Sequence, residues 1–230
     1  MRRVVRGFWG PRPESEQELA VRWSTFLTRL SEIEPAVFGA WEPIGDVRDA
    51  GPDALAAYLR ESNAGDDWSD RKGYAMALAT PAANPVKVTV SGTGGGVSEH
   101  LAMSVVVTVT APDAGRPSLP YAGILRALAE AWDVDWGEVT ETELQLALED
   151  DGREPGQACV GWVGYLSERR AALLGGHDVP GKAEPTEHGG LLLDLSGSDA
   201  GVAGVVAVNR DVRSTGALEA LPRPMDRAKL

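Results

Sequence analysis

The sequence predicts an α+β fold, a mixed and largely antiparallel sheet packed by several amphipathic helices. Three observations carry this prediction. Strand-like segments occur in runs interrupted irregularly by helices, unlike a regular βαβ repeat. Two long segments, 15–33 and 119–132, repeat apolar residues at helical spacing. The chain of 230 residues, 43% hydrophobic, is long enough to bury a sizeable core.

In chain order, residues 2–9 (RRVVRGFW) read as a short strand ended by Pro11 and Pro13. A helix follows. Ser15 and Glu18 have the spacing of a capping box, and Leu19, Trp23, Phe26, Leu27, Leu30 and Ile33 then form one apolar face. Pro35 closes it. Residues 37–41 read as a strand, and residues 53–59 as a short helix behind Pro52. Residues 61–72 (ESNAGDDWSDRK) are polar and turn-like.

The middle of the chain is β-rich. Residues 74–80 read as a strand. In residues 86–91, valines alternate with Lys87, Thr89 and Ser91, the period of a strand with one wet face. GTGGG at 92–96 makes a turn, and residues 103–110 (MSVVVTVT) are apolar enough for a central strand. Together these segments predict an antiparallel sheet. Residues 119–132 form the second strong helix, with Ser118 as its cap and Ile124, Leu125, Leu128 and Trp132 on one side. A strand through Val139 follows. Thr140 and Glu143 then have capping-box spacing before Leu144 and Leu148. Residues 159–166 read as a strand, 167–174 as a short helix and 175–190 as a loop. Residues 191–195 and 205–208 read as a strand hairpin, and 211–221 as a last helix. The expected organisation is a single domain over residues 1–221, with a patternless, disordered tail at 222–230.

Charge narrows the partners. With 34 acidic and 22 basic residues the net charge is −12. Such a surface disfavours nucleic acid and anionic membranes, since phosphate binding needs clustered Lys and Arg, and it suits a basic protein partner. With one cysteine, Cys159, no intrachain disulfide forms. The arginines near the start precede no apolar h-region, and no run is long enough to cross a bilayer. The expectation is a cytoplasmic protein.

Catalytic patterns are sparse. G-x-S-x-G is absent; Ser198 lies in a polar turn. GTGGG lacks the Lys-Ser/Thr of a phosphate loop. Cys159 sits in an apolar segment, as structural cysteines do. His177, Asp178 and His188, with Glu184 and Glu187, form the one cluster that could offer ligands to a divalent ion. They lack recognisable ligand spacing, yet a metal-dependent hydrolase using His177, Asp178 and His188 stands as the alternative function. A structural or interaction protein is another. No catalytic residue is assigned, and no motif requires a cofactor. The best exposed recognition surface is Trp68 among Asp66, Asp67 and Asp70. A second acidic group is Glu149, Asp150 and Asp151 at a helix end.

Residues 6–15 (RGFWGPRPES), joined to the following amphipathic helix, resemble the start of the immunity protein 52 family of bacterial polymorphic-toxin systems. Gly161-Trp162-Val163-Gly164-Tyr165-Leu166-Ser167 and the stretch Gly189 to Leu195 are similar to a C-terminal part of that family. Trp9, Gly10, Trp162 and Tyr165 carry the match, and packing and turn geometry account for each. The resemblance implies an immunity protein that binds and neutralises a toxin delivered between competing bacteria, often a restriction-endonuclease-fold nuclease. In that reading Asp66, Asp67, Trp68, Asp70 and Glu149, Asp150, Asp151 face basic groups of the toxin and occlude its active site.

Overall fold

The computed structural model describes residues 2–43, 51–66, 68–84, 86–110, 119–177, 179–197 and 201–230. Its centre is β1 (Arg2–Trp9), which pairs antiparallel on one side with β5 (Met103–Thr110) and on the other with β6 (Trp136–Thr140). Beyond β5 come β4 (Lys87–Gly94), β3 (Tyr74–Ala79) and the two-residue β2 (Glu42–Pro43). Beyond β6 come β7 (Val163–Leu166), β9 (Leu191–Asp194) and β8 (Lys182–Pro185). Every pair is antiparallel, so the sheet among the described residues has nine strands in the order β2-β3-β4-β5-β1-β6-β7-β9-β8.

One face of this sheet is fully covered. Directly opposed residues share a face, and the register aligns Leu78, Val90, Val107, Val5, Val139 and Val163 in one row. All six are buried. Against them pack α1 (Glu16–Ile33), α3 (Pro52–Ser62) and α4 (Tyr121–Trp132). The predicted capping box forms: Glu18 N donates to Ser15 Oγ, and Ser15 N donates to the Glu18 carboxylate. The seat of α4 is floored by glycine. A Cβ on Gly7 would overlap Leu128, and one on Gly137 would press on Leu125, so the bare backbone lets the helix lie close.

The opposite face is covered only in part. α5 (Thr142–Asp150), α6 (Glu168–Ala172) and α7 (Gly201–Ser214) gather over the β6 to β9 half. A second apolar cluster forms there from Trp136, Leu144, Leu148, Leu193, Val205 and Val208. On β1 Val4 is buried and Phe8 packs against that cluster, but over β3, β4 and β5 the same side stays open among the described residues. Thr89, Ser91 and Thr110 are exposed there, and Ala77, Val106 and Thr108 half-buried.

Several expectations are corrected. Residues 37–41 are no strand: Pro35 opens the short helix α2 (Pro35–Phe38), its missing N–H harmless at a first turn. Thr140 does not cap α5. It ends β6, and the cap position falls to Glu141 without a side-chain bond. Residues 205–208 are helical, not a strand, and lie inside α7. Buried Val205, Val208, Asn209 and Val212 have helical spacing, but the β-branched run masks it. The hairpin is instead β8–β9, so the expected 175–190 loop contains a strand. Residues 211–221 are not the last helix, since α7 stops at Ser214. β7 is shorter than predicted, covering 163–166. The expected cap Ser118 and the turn residue Ser198 lie outside the described residues.

Residues 222–230 have no regular secondary structure. They make specific bonds nonetheless: Gly10 N donates to Ala228 O at 2.8 Å and Met225 N to Glu99 O at 2.7 Å.

Candidate functional site

The residues of the distinctive N-terminal motif are a structural junction. Trp9 is buried and stacks on Trp132, ring centroids 5.4 Å apart. A Cβ on Gly10 would overlap the Arg227 carbonyl, so only glycine lets the tail pass there. The Arg12 guanidinium lies over the Trp9 ring and donates to the carbonyls of Trp132 and Asp133, at 2.8 and 3.2 Å. Those are orphan acceptors at the end of α4, where a cation is favoured. Burial lowers the Arg12 pKa from its ordinary value, with the facing Glu14 opposing the shift. Of the C-terminal motif, Tyr165 is buried in the first core cluster, and burial pushes its phenol up to about 12. Trp162 is half-buried against the second cluster.

Cys159 is buried and donates to the Glu138 carboxylate, itself wholly buried. Arg6 reaches that carboxylate at 3.2 Å, and Arg153 lies 3.7 Å away. Burial first, and the Glu138 charge second, push the thiol well above its ordinary value. A thiolate nucleophile is therefore disfavoured. Native protein at pH 8 is expected to leave Cys159 unmodified by a chromogenic thiol reagent, with one equivalent titrating in guanidinium. Rapid labelling without denaturant would contradict this burial. The sequence signalled Cys159 as structural but gave no hint of Glu138, because its partners come from distant strands and loops.

The two acidic groups lie in different parts of the fold, one in the loop before β3 and the other at the end of α5. Asp66 and Asp70 are exposed in the loop before β3; Asp67 lies outside the described residues. Trp68 is 40% exposed and tilts against Tyr74, with ring centroids 5.4 Å apart. It borders a cleft of about 600 Å³ that Leu101, 56% exposed, also lines. Ala75 and Thr93, two residues of the open sheet face, complete its wall.

In the second group, Glu149 and Asp150 are exposed at the end of α5. Glu149 lines a cleft of about 290 Å³ with Arg6, Gln145, Arg153 and Glu154. Asp151 differs from its neighbours: it is paired with Arg210 and with Arg213, the latter at 3.8 Å, so α7 neutralises its charge.

His177 and His188 are not brought into a ligand set. His177 is exposed, His188 Nε2 lies 3.2 Å from the Glu130 carbonyl, and Asp178 is outside the described residues. Among the described residues no three His, Cys, Asp or Glu side chains are grouped to hold a metal ion. No helix among them is long and apolar enough to cross a membrane.

Fold and surfaces together define an antiparallel α+β protein with helices over one whole sheet face and half of the other. The family model described as Immunity protein 52 matches residues 4–221, and the chain belongs to that family. Among solved structures, the Pseudomonas aeruginosa T6SS protein PA0821 is similar at 14% identity and a TM-score of 0.50. The match covers 95% of this chain and 73% of that one. At that identity the likeness concerns the fold alone. No curated protein matches the sequence.

Proposed function

We propose that this chain is an immunity protein that binds a cognate bacterial toxin, a nuclease acting in the cytoplasm, and neutralises it by occluding the active site. One observation carries the reading: the Immunity protein 52 match runs through almost the whole chain, residues 4–221. Charge supports the nuclease. A protein that cleaves phosphodiesters holds basic groups in its cleft, and a partner of net charge −12 is drawn to such a cleft by complementary fields. The fold neighbour is a T6SS protein, which accords with a secretion-linked toxin system. The toxin-facing groups in this reading are Asp66, Asp67, Trp68 and Asp70, together with Glu149 and Asp150. Asp151 contributes less, its charge being already paired.

Co-expression tests the function in cells. Cells making the cognate toxin are expected to survive when this chain is co-produced and to die when it is absent. Equal killing in both would end the proposal.

A further inference from the structure

We infer that the toxin docks by placing an apolar side chain, framed by basic residues, into the cleft between Trp68 and Leu101. The inference rests on the toxin-neutralising reading and gives it a site.

Exposed apolar residues that stand singly need no explanation. Val21, Leu146 and Leu173 are of that kind, on or beside three different helices. Trp68 and Leu101 are not, because two loops bring them together. They are 40% and 56% exposed, and both line the cleft of about 600 Å³ that crosses the start of β3, the end of β4 and the start of β5. Val97, also exposed, belongs to the same surface: its N donates to Asp70 O, next to Trp68 in the chain, at 3.0 Å.

This exposure is not the fraying of a loose loop. Ser98 is buried, and its Oγ accepts from His100 N and Leu101 N at 3.3 and 3.1 Å. Glu99 O accepts from Met225 N at 2.7 Å, so the C-terminal segment holds the Leu101 loop as well. Trp68 N donates to Gly65 O at 3.0 Å, and the indole leans on Tyr74. Glycine lets the two loops close on each other: a Cβ on Gly96 would press on the Arg71 carbonyl and on Met103. Two large apolar groups are thus held ready in water. Groups ordered in advance lose little freedom on binding, and tryptophan beside a pocket is the residue type that anchors interfaces.

The walls decide how the partner enters. Asn63 Oδ1 accepts from Ala75 N, and Asn63 Nδ2 donates to Ala75 O, each at 3.0 Å. The edge of β3 is therefore already paired at the cleft, and an added strand has no place there. What remains is a hole walled by Gly73, Ala75 and Thr93, with the buried thioether of Met103 beside them. Small walls and an adaptable methionine suit an inserted apolar or aromatic side chain. Charge sets what surrounds that side chain. Glu61, Asp66, Asp70 and Glu99 are exposed on the two loops, against Arg71 and Lys72, so the rim is acidic on balance. A partner carrying Arg or Lys around its apolar anchor complements it. A second copy of this chain would bring acid to acid at a net charge of −12 each.

The test measures association and dissociation rates by surface plasmon resonance. The probe is the toxin domain whose killing this chain suppresses in co-expression, purified with its catalytic residues inactivated. The variants are Trp68→Ala and Leu101→Ala, and the control is Leu146→Ala, a leucine equally exposed on α5. All are first matched to the unmodified chain by circular dichroism and thermal midpoint; Leu101→Ala, at so exposed a position, keeps the test valid if Trp68→Ala loses stability. Trp68→Ala is expected to weaken binding at least about 30-fold and Leu101→Ala about 10-fold, mainly through faster dissociation, with the control within about 3-fold of the unmodified chain. Asp66→Asn with Asp70→Asn is expected to slow association about tenfold at low salt and to leave dissociation little changed. Full affinity in both cleft variants, or an equal loss in Leu146→Ala, overturns the site while leaving toxin binding intact. Unchanged or faster association in the asparagine pair overturns the basic-partner assignment. No binding by the unmodified chain overturns the toxin-neutralising reading itself. Sedimentation of the unmodified chain as a dimer that Leu101→Ala dissociates would assign the cleft to a second copy and overturn the proposal.

Discussion

Asp135→Ala is expected to lower the unfolding free energy by about 3–5 kcal/mol, the cost of breaking a fully buried ion pair from one side. Asp135 and Arg170 are both wholly buried, 2.7 Å apart. The carboxylate also accepts from Ser167 Oγ and from Leu230 N, each at 3.1 Å. Arg170 in turn donates to the carbonyls of Ala217 and Glu219, at 2.7 and 2.9 Å. This single knot joins the entry to β6, the start of α6, the segment after α7 and the last residue. Removing the carboxylate strands a guanidinium away from water, and that stranded charge is the main cost. Urea unfolding checks it: the midpoint should fall with little change in slope. Replacing both partners, as Asp135→Leu with Arg170→Met, should recover part of the loss, because no charge then remains buried. A loss below about 1 kcal/mol for Asp135→Ala would mean that the pair is not desolvated.

Trp132→Ala is the second large effect, expected at about 3–5 kcal/mol, as for other buried aromatics cut to alanine. Trp132 stacks on Trp9 and meets Trp23 edge-on, with centroids 5.4 and 4.9 Å away. Its carbonyl is one of the acceptors that Arg12 holds. The substitution therefore empties the junction of β1, α1 and α4. Trp132→Phe should cost clearly less. Its ring keeps much of the packing, and the indole Nε1 it deletes has no protein partner. For a chain of this size, thermal unfolding should show the alanine midpoint falling by about 6–20 °C. Equal losses from Phe and Ala would show that the indole N–H, rather than the packing, carries the stability.

Much of the fold was legible because its signals are local. The capping box at Ser15 and Glu18 and the apolar stripe from Leu19 to Ile33 specify α1 without reference to the rest of the chain. The alternation at Val86, Val88 and Val90 specifies a half-wet strand in the same way. Where two local signals compete, the sequence is ambiguous. In α7 the β-branched residues favour a strand by propensity, and the buried position filled by Asn209 hides the helical stripe. Tertiary contact decides it. Asn209 accepts from Val160 N at 2.8 Å and donates to Val160 O at 2.5 Å, so it completes a hydrogen-bond ladder that no strand supplies.

The candidate site was legible in its parts and not as a whole. The exposed Trp68 among aspartates, and the acidic end of α5, are visible as composition. That the first lies beside β3 and β4 and the second beside β1 depends on long-range strand pairing, which no local pattern encodes. Asp151 shows the same limit. It reads as one of three like charges in a run, yet Arg210 and Arg213 reach it from α7.

The central claim is toxin neutralisation by direct binding, and a titration of purified proteins tests it most directly. Increasing amounts of this chain are added to the active toxin domain while DNA or RNA cleavage is followed. The account predicts that cleavage falls to background at about one equivalent, the signature of tight one-to-one occlusion. Cleavage that continues undiminished in a large molar excess of folded protein would contradict it.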